Sequence, residues 1–166
     1  MPARGWPDAP PRARPRRRRK PRLTLHLQVL SRAVPVPALV QVRRWVRAAL
    51  KGSAEITVRI VGAAEARILN RRYRDRDYAA NVLSFPYSLR RGRVQGDIVL
   101  CAPVIAREAL DQGKTVEAHL AHLTVHALLH LQGHDHLRRH DTARMESLEK
   151  KLLAKLGYPD PYDDSG

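Results

Sequence analysis

From Thr115 to Gln132 the chain is apolar nearly all round the circumference of a helix, and a helix with no polar face has to lie buried at the centre of its fold. Into this segment the sequence sets an unusual number of imidazoles. Seven of its eight histidines fall between His119 and His140, and His126, His130 and His136 are spaced His-x3-His-x5-His with Gly133 between the last two. Residues four apart on a helix share a face about one turn apart, so the rings of His126 and His130 can converge on one ion. Gly133 can take positive φ, end the helix and let the chain swing His136 to the same point. His134 is the rival third ligand, four residues beyond His130, but Gly133 breaks the helical register before it. Three protein nitrogens leave a fourth tetrahedral position for water, which marks a catalytic zinc more than a structural one.

The same spacing matches the metzincin protease pattern except at one position. Ala127 follows the first histidine where those enzymes carry the glutamate that acts as general base. Peptide hydrolysis is therefore disfavoured at its central residue. His119 and His122 extend the stripe towards the N-terminus of the helix, and packing or hydrogen bonding behind the ligands is the expected role for both. Asp135, beside His136, is expected either to orient a ligand or to cap the helix end.

Residues 1–22 carry nine basic residues against Asp8, a net +8, with six of the chain's twelve prolines. Repelling charges and helix-breaking prolines give this arm no means of building a core, and the expectation is disorder. Removing +8 from the formal +15 still leaves +7 on the remainder, so a polyanionic partner, RNA or DNA, is implied for the folded part too. Cys101 stands alone, which excludes an intrachain disulfide and cysteine-based zinc frameworks. No apolar run is long enough for a bilayer and the N-terminus has no secretory pattern, so no membrane partner is expected and the cytoplasm is the expected location.

Periodicity predicts strands over 23–29, 54–61, 82–87 and 97–101, with an arginine-rich turn from Arg90 to Arg93 joining the last two. Helices are predicted over about 37–50, 63–73, 102–111, 115–132 and 141–156, with Thr115 as an N-cap and Gly157 as a stop. The last helix sets Met145, Leu148, Leu152 and Leu156 on one face. The expected fold is a single α+β domain: a small mixed four-stranded sheet packed with about five helices around a central buried helix that carries the metal ligands.

The stretch from His126 through His130 and Gly133 to His136 resembles the signature of the YbeY family of bacterial zinc-dependent endoribonucleases of rRNA maturation. Further resemblance runs through Leu69–Asn70 and Tyr73–Arg74, Asn81–Phe85, Gly96–Ile98, Glu117–His122 and Gly157–Tyr162. It covers about residues 22–162, with Ala127 where the family usually has glycine and His134 where it usually has tyrosine. The resemblance implies an endoribonuclease domain at 23–162 between the arm and a short tail at 163–166. It implies one zinc ion on His126, His130 and His136, with Arg74 as a functional arginine in a basic cleft. The implied activity is single-strand-specific RNA cleavage in 16S rRNA 3′-end maturation and ribosome quality control, with ribosomal RNA and the small ribosomal subunit as partners. Either water activated on the metal or an RNA 2′-hydroxyl would attack phosphorus while Arg74, charged at any working pH, steadies the developing charge. Two other classes remain open: a non-catalytic, zinc-stabilised RNA-binding assembly factor, and a metallohydrolase of another substrate. Aromatics make up only 5% of the chain, so no stacking platform for bases is evident in the sequence.

Overall fold

In the computed structural model, which describes residues 20–90, 93–133 and 139–163, the alternation of apolar residues in the first two thirds of the chain becomes one four-stranded sheet. The elements are β1 (Leu23–Val29), α1 (Leu39–Ala49), β2 (Ser53–Val61), α2 (Ala63–Arg74), β3 (Val82–Arg90), β4 (Arg93–Cys101), α3 (Ala102–Asp111), α4 (Val116–Leu131) and α5 (Arg139–Leu156). The strand order is β1-β2-β4-β3. β1 and β4 flank β2 in parallel, and β3 closes the far edge antiparallel to β4. This is the mixed four-stranded sheet and five helices expected from periodicity.

The register explains why the sheet carries two cores. Leu27, Val58 and Ile98 fall in one row across three strands, and Val29, Ile60 and Leu100 in the next. Side chains alternate in direction along a strand, so these rows share a face. That face holds the larger core, with α1, α4 and α5. The intervening residues Val61, Leu83, Val99 and Cys101 point the other way and form a smaller core with Ala66 of α2, joined by Leu69, Phe85 and Val104. No helix among the described residues is long and apolar enough to cross a membrane.

α4 is the central helix that its composition demands. The Thr115 hydroxyl caps it by accepting the Ala118 N–H at 3.1 Å, and ten of its residues are buried. Ala127 is among them, its methyl absorbed in the main core. At the other end Gly133 takes φ 93°, the left-handed turn that ends the helix. The hairpin differs from expectation. Pairing continues to Arg90 opposite Arg93, so β3 runs three residues past Tyr87 and β4 begins four residues before Asp97, while Arg91 and Gly92 of the expected turn lie outside the described residues.

The contact that seats α4 on the sheet is at Gly96. A Cβ built there would stand 2.7 Å from the Phe85 carbonyl oxygen and 2.9 Å from Leu131 Cδ2. Only a residue without a side chain lets the end of α4 come this close to the hairpin. Gly96→Ala should therefore cost about 1–3 kcal/mol, since the backbone oxygen cannot yield as a side chain would. Urea unfolding should show a lower midpoint at unchanged slope, and an unaltered midpoint would refute the close approach.

Candidate metal centre

The imidazole stripe of α4 runs along the side that meets α5. Ring centroids of successive members lie 6.2 Å apart from His119 to His122, 6.3 Å from His122 to His126 and 4.7 Å from His126 to His130. The last pair, set at 70° to each other, is the closest of the three. His136, His134 and Asp135 lie outside the described residues.

Opposite the stripe stands a residue that the sequence reading passed over. Glu149 of α5 has no solvent-exposed surface. Its Oε1 lies 2.5 Å from His126 Nδ1, its Oε2 lies 3.2 Å from His122 Nε2, and the Tyr162 hydroxyl donates to Oε2. Burial by itself would raise the carboxyl pKa, but the hydrogen bonds from His122, His126 and Tyr162 outweigh it and hold Glu149 down to about 2. An ionised carboxylate can only accept, so the proton between Glu149 and His126 belongs on His126 Nδ1. A neutral His126 then carries its lone pair on Nε2. Burial, followed by the hydrogen bond to Glu149 and then its charge, pushes the Tyr162 phenol up, so it stays a donor.

His122, His126 and Glu149 form a group whose ligand atoms all lie within 4.8 Å of one another, close enough to hold a metal ion. As they stand, two of their separations are hydrogen-bond lengths. Atoms sharing a tetrahedral zinc at about 2.0–2.2 Å each would be roughly 3.3 Å apart. Between His126 Nδ1 and Glu149 the spacing suits a proton, so the donor set fits an ion best on the other nitrogen of His126. That is the arrangement in which a carboxylate orients a metal-binding histidine from behind.

The stripe continues into a second histidine–carboxylate pair. His119 Nε2 lies 2.9 Å from Glu108 Oε2, which also accepts from Asn81 Nδ2 at 3.1 Å. Burial pushes the His119 pKa down, with Glu108 pulling the other way. Nδ1 of both His119 and His122 is buried without a hydrogen-bond partner among the described residues. These residues border a cavity of about 750 Å³ that Lys114 and Tyr162 also line.

Arg74 comes from the other side of the sheet. It closes α2, whose C-cap Asp75 turns left-handed at φ 54°, and its Nη2 donates to the Ser84 carbonyl on the edge strand β3 at 3.2 Å. Arg74 is exposed and lines a groove of about 590 Å³, and Asn81 and Glu108 line both this groove and the His119 cavity. Ser84 thus contributes its backbone carbonyl, while Asn81 also accepts the Val82 N–H.

Glu149 was not wholly invisible in sequence. It lies four residues after Met145 on the apolar face of α5, and a lone acid on such a face needs a buried partner. Nothing in the sequence says which partner.

Comparison with known proteins gives a consistent result. The model of the family described as Endoribonuclease YbeY matches residues 37–157. A protein of Aromatoleum aromaticum called Endoribonuclease YbeY is 58% identical over 126 residues, covering 76% of this chain and 81% of its own. Its namesake in Thiobacillus denitrificans is 52% identical over 143 residues, 86% of this chain and 97% of the relative. The one in Methylobacillus flagellatus is 51% identical over 142 residues, 86% and 95% respectively.

The folded pKa of Glu149 lies below its ordinary value of 4.5, so its ionisation stabilises the protein above that pH, and the stability is lost as pH falls towards 2. In metal-free protein the loss should be on the order of 3 kcal/mol across this window. Denaturant titrations from pH 5 to pH 2.5 should show a steeper decline for the wild type than for Glu149→Gln, and parallel curves would contradict the assignment.

Proposed function

The chain belongs to the family described as Endoribonuclease YbeY, and on that premise we propose that it is a metal-dependent endoribonuclease, a hydrolase of RNA phosphodiester bonds. One zinc ion is held by His126, His130 and His136, and Arg74 meets the phosphate. The observation that carries this reading is the 2.5 Å bond from His126 Nδ1 to the buried Glu149, beside the His130 ring at 4.7 Å. It orients one imidazole and selects its tautomer, as a ligand requires. Zinc on three neutral nitrogens supplies a concentrated positive charge that acidifies water and polarises a phosphoryl oxygen.

The remaining work falls to the chain's own side chains. Glu149 keeps the proton on His126 Nδ1, and Tyr162 and His122 keep Glu149 ionised. Arg74 can present a fork of donors to two phosphate oxygens and stays charged throughout the working pH range. Its hold on the Ser84 carbonyl is a single hydrogen bond to a neutral acceptor at an exposed edge, readily exchanged for a charged acceptor.

The substrate is single-stranded ribosomal RNA, at the 16S 3′ end, encountered with the small ribosomal subunit in the cytoplasm. Residues 23–162 carry the chemistry. The arm at 1–22 adds sequence-independent attraction for phosphates, so RNA affinity falls steeply with salt.

Cleavage of a 3′-extended 16S precursor by protein purified without a histidine tag tests the assignment. His126→Ala and Arg74→Glu should each lower the rate by at least 100-fold while the far-ultraviolet spectrum stays native. Full activity in either variant, free of contaminating nuclease, overturns it. Glu149→Gln should weaken zinc binding by about 10- to 100-fold, measured by competition with a chelating dye, because an amide cannot enforce the same tautomer. Unchanged affinity would remove Glu149 from the centre.

A further inference from the structure

The chain has few aromatic rings, and three of them gather on the outer face of the sheet beside Arg74. Tyr73, the residue before Arg74 on α2, packs edge-on against Phe85 of β3 with centroids 5.2 Å apart. Tyr87 stands two residues further along the same strand, at the irregularity between Pro86 and Ser88 that leaves it without a partner on β4. Bulges of this kind re-aim a side chain and recur next to functional sites. Between the rings of Tyr73 and Tyr87 lies a cleft of about 230 Å³, floored by Leu69 and Val99.

Both tyrosines are more than half exposed, at 57% and 69%. Both rings therefore stay largely open to solvent, beyond the edge contact of Tyr73 with Phe85 and the Tyr87 hydrogen bond to Asp97. Two polar groups sit at the rim: Asp97, which accepts the Tyr87 hydroxyl, and Arg59, which is paired with Glu65 at 2.6 Å. The Arg72 guanidinium lies 5.5 Å from the Tyr73 ring centroid, and Arg71 and Arg74 are exposed on the same last turn of α2. Flat apolar walls, a few polar groups at the mouth and cations outside are the features of a pocket for a planar ring joined to a phosphate.

We propose that the Tyr73–Tyr87 cleft is a base-binding subsite, in which one unstacked base of a single-stranded RNA lies against the tyrosine rings while the arginines of α2 hold its flanking phosphates. The inference rests on the endoribonuclease reading and adds to it a place for a nucleotide next to the one whose phosphate meets Arg74. A duplex is excluded as the occupant because its bases are stacked and their faces closed. A protein partner is disfavoured, since the exposed arginines of the last turn of α2 flank the patch and a polyanion complements them.

Fluorescence anisotropy with metal-loaded protein and a labelled 12-nucleotide 2′-O-methyl RNA, its integrity checked on a gel, gives the test. The probe is compared with one of equal length and charge whose central positions are abasic, and with a duplex. Wild-type protein should prefer the intact strand over the abasic one by about 5- to 100-fold, the worth of stacking one base. Tyr87→Leu, which keeps the apolar bulk at an exposed position, should abolish most of that preference and leave the salt dependence unchanged. Equal affinity of the wild type for both strands, in a preparation that cleaves RNA, overturns the subsite and leaves the endoribonuclease reading standing. A wild type that neither binds nor cleaves RNA overturns both. The abasic comparison needs no mutant, so a misfolded variant cannot obscure the result.

Discussion

A carboxylate cut off from solvent costs several kcal/mol unless donors surround it, and Glu149 obtains its donors from two separate parts of the chain. His122 and His126 come from α4, and Tyr162 comes from the segment after α5. Satisfying this one group therefore ties three pieces together. Gly157 at φ 88° turns the chain back from α5, and Tyr158 anchors the return by accepting from Trp45 Nε1 and donating to Glu117. The Lys114 ammonium holds the Pro161 carbonyl on the way to Tyr162. The C-terminal segment is thus part of the histidine centre, although it contributes none of the proposed ligands.

The sheet contributes by bringing two unlike surfaces to one edge. On one face, Gly96 admits the end of α4, where Leu131 packs over it beside the Phe85 carbonyl of β3. On the other, α2 ends at Arg74, which reaches the outward carbonyl of the same strand. Because β3 is the edge strand, its free backbone side is reachable from both faces. On the proposed reading, metal chemistry from the helix side and phosphate recognition from the α2 side would meet there. The aromatic cleft extends the α2 side along the strand, and Tyr87 gains its exposure from an irregular register.

Most of the fold could be read directly from the residues. Leu23–Val29 alternates and is a strand, the apolar stripe near Trp45 is a helix, and Thr115 and Gly133 bound α4 as their chemistry requires. The inner ends of β3 and β4 were harder, because their charge suggests a loop while the ladder reaches Arg90 and Arg93. At the centre, His126 and His130 were legible because helical spacing alone brings them together. Glu149, Glu108 and Tyr162 were not, since each acts on a histidine 11 to 40 residues away. The gathering of Tyr73, Phe85 and Tyr87 was hidden for the same reason, two elements being needed to build it.

Local periodicity determined the elements, the burial of α4 and the shared face of its imidazoles, because each depends only on residues within a few turns or one strand. Which nitrogen of His126 carries the proton, how the buried acid is compensated and where the arginine meets the edge strand depend on contacts between elements. Only tertiary packing decided those, since hydrogen-bond partners distant in sequence are selected by which surfaces come into contact once the core has closed.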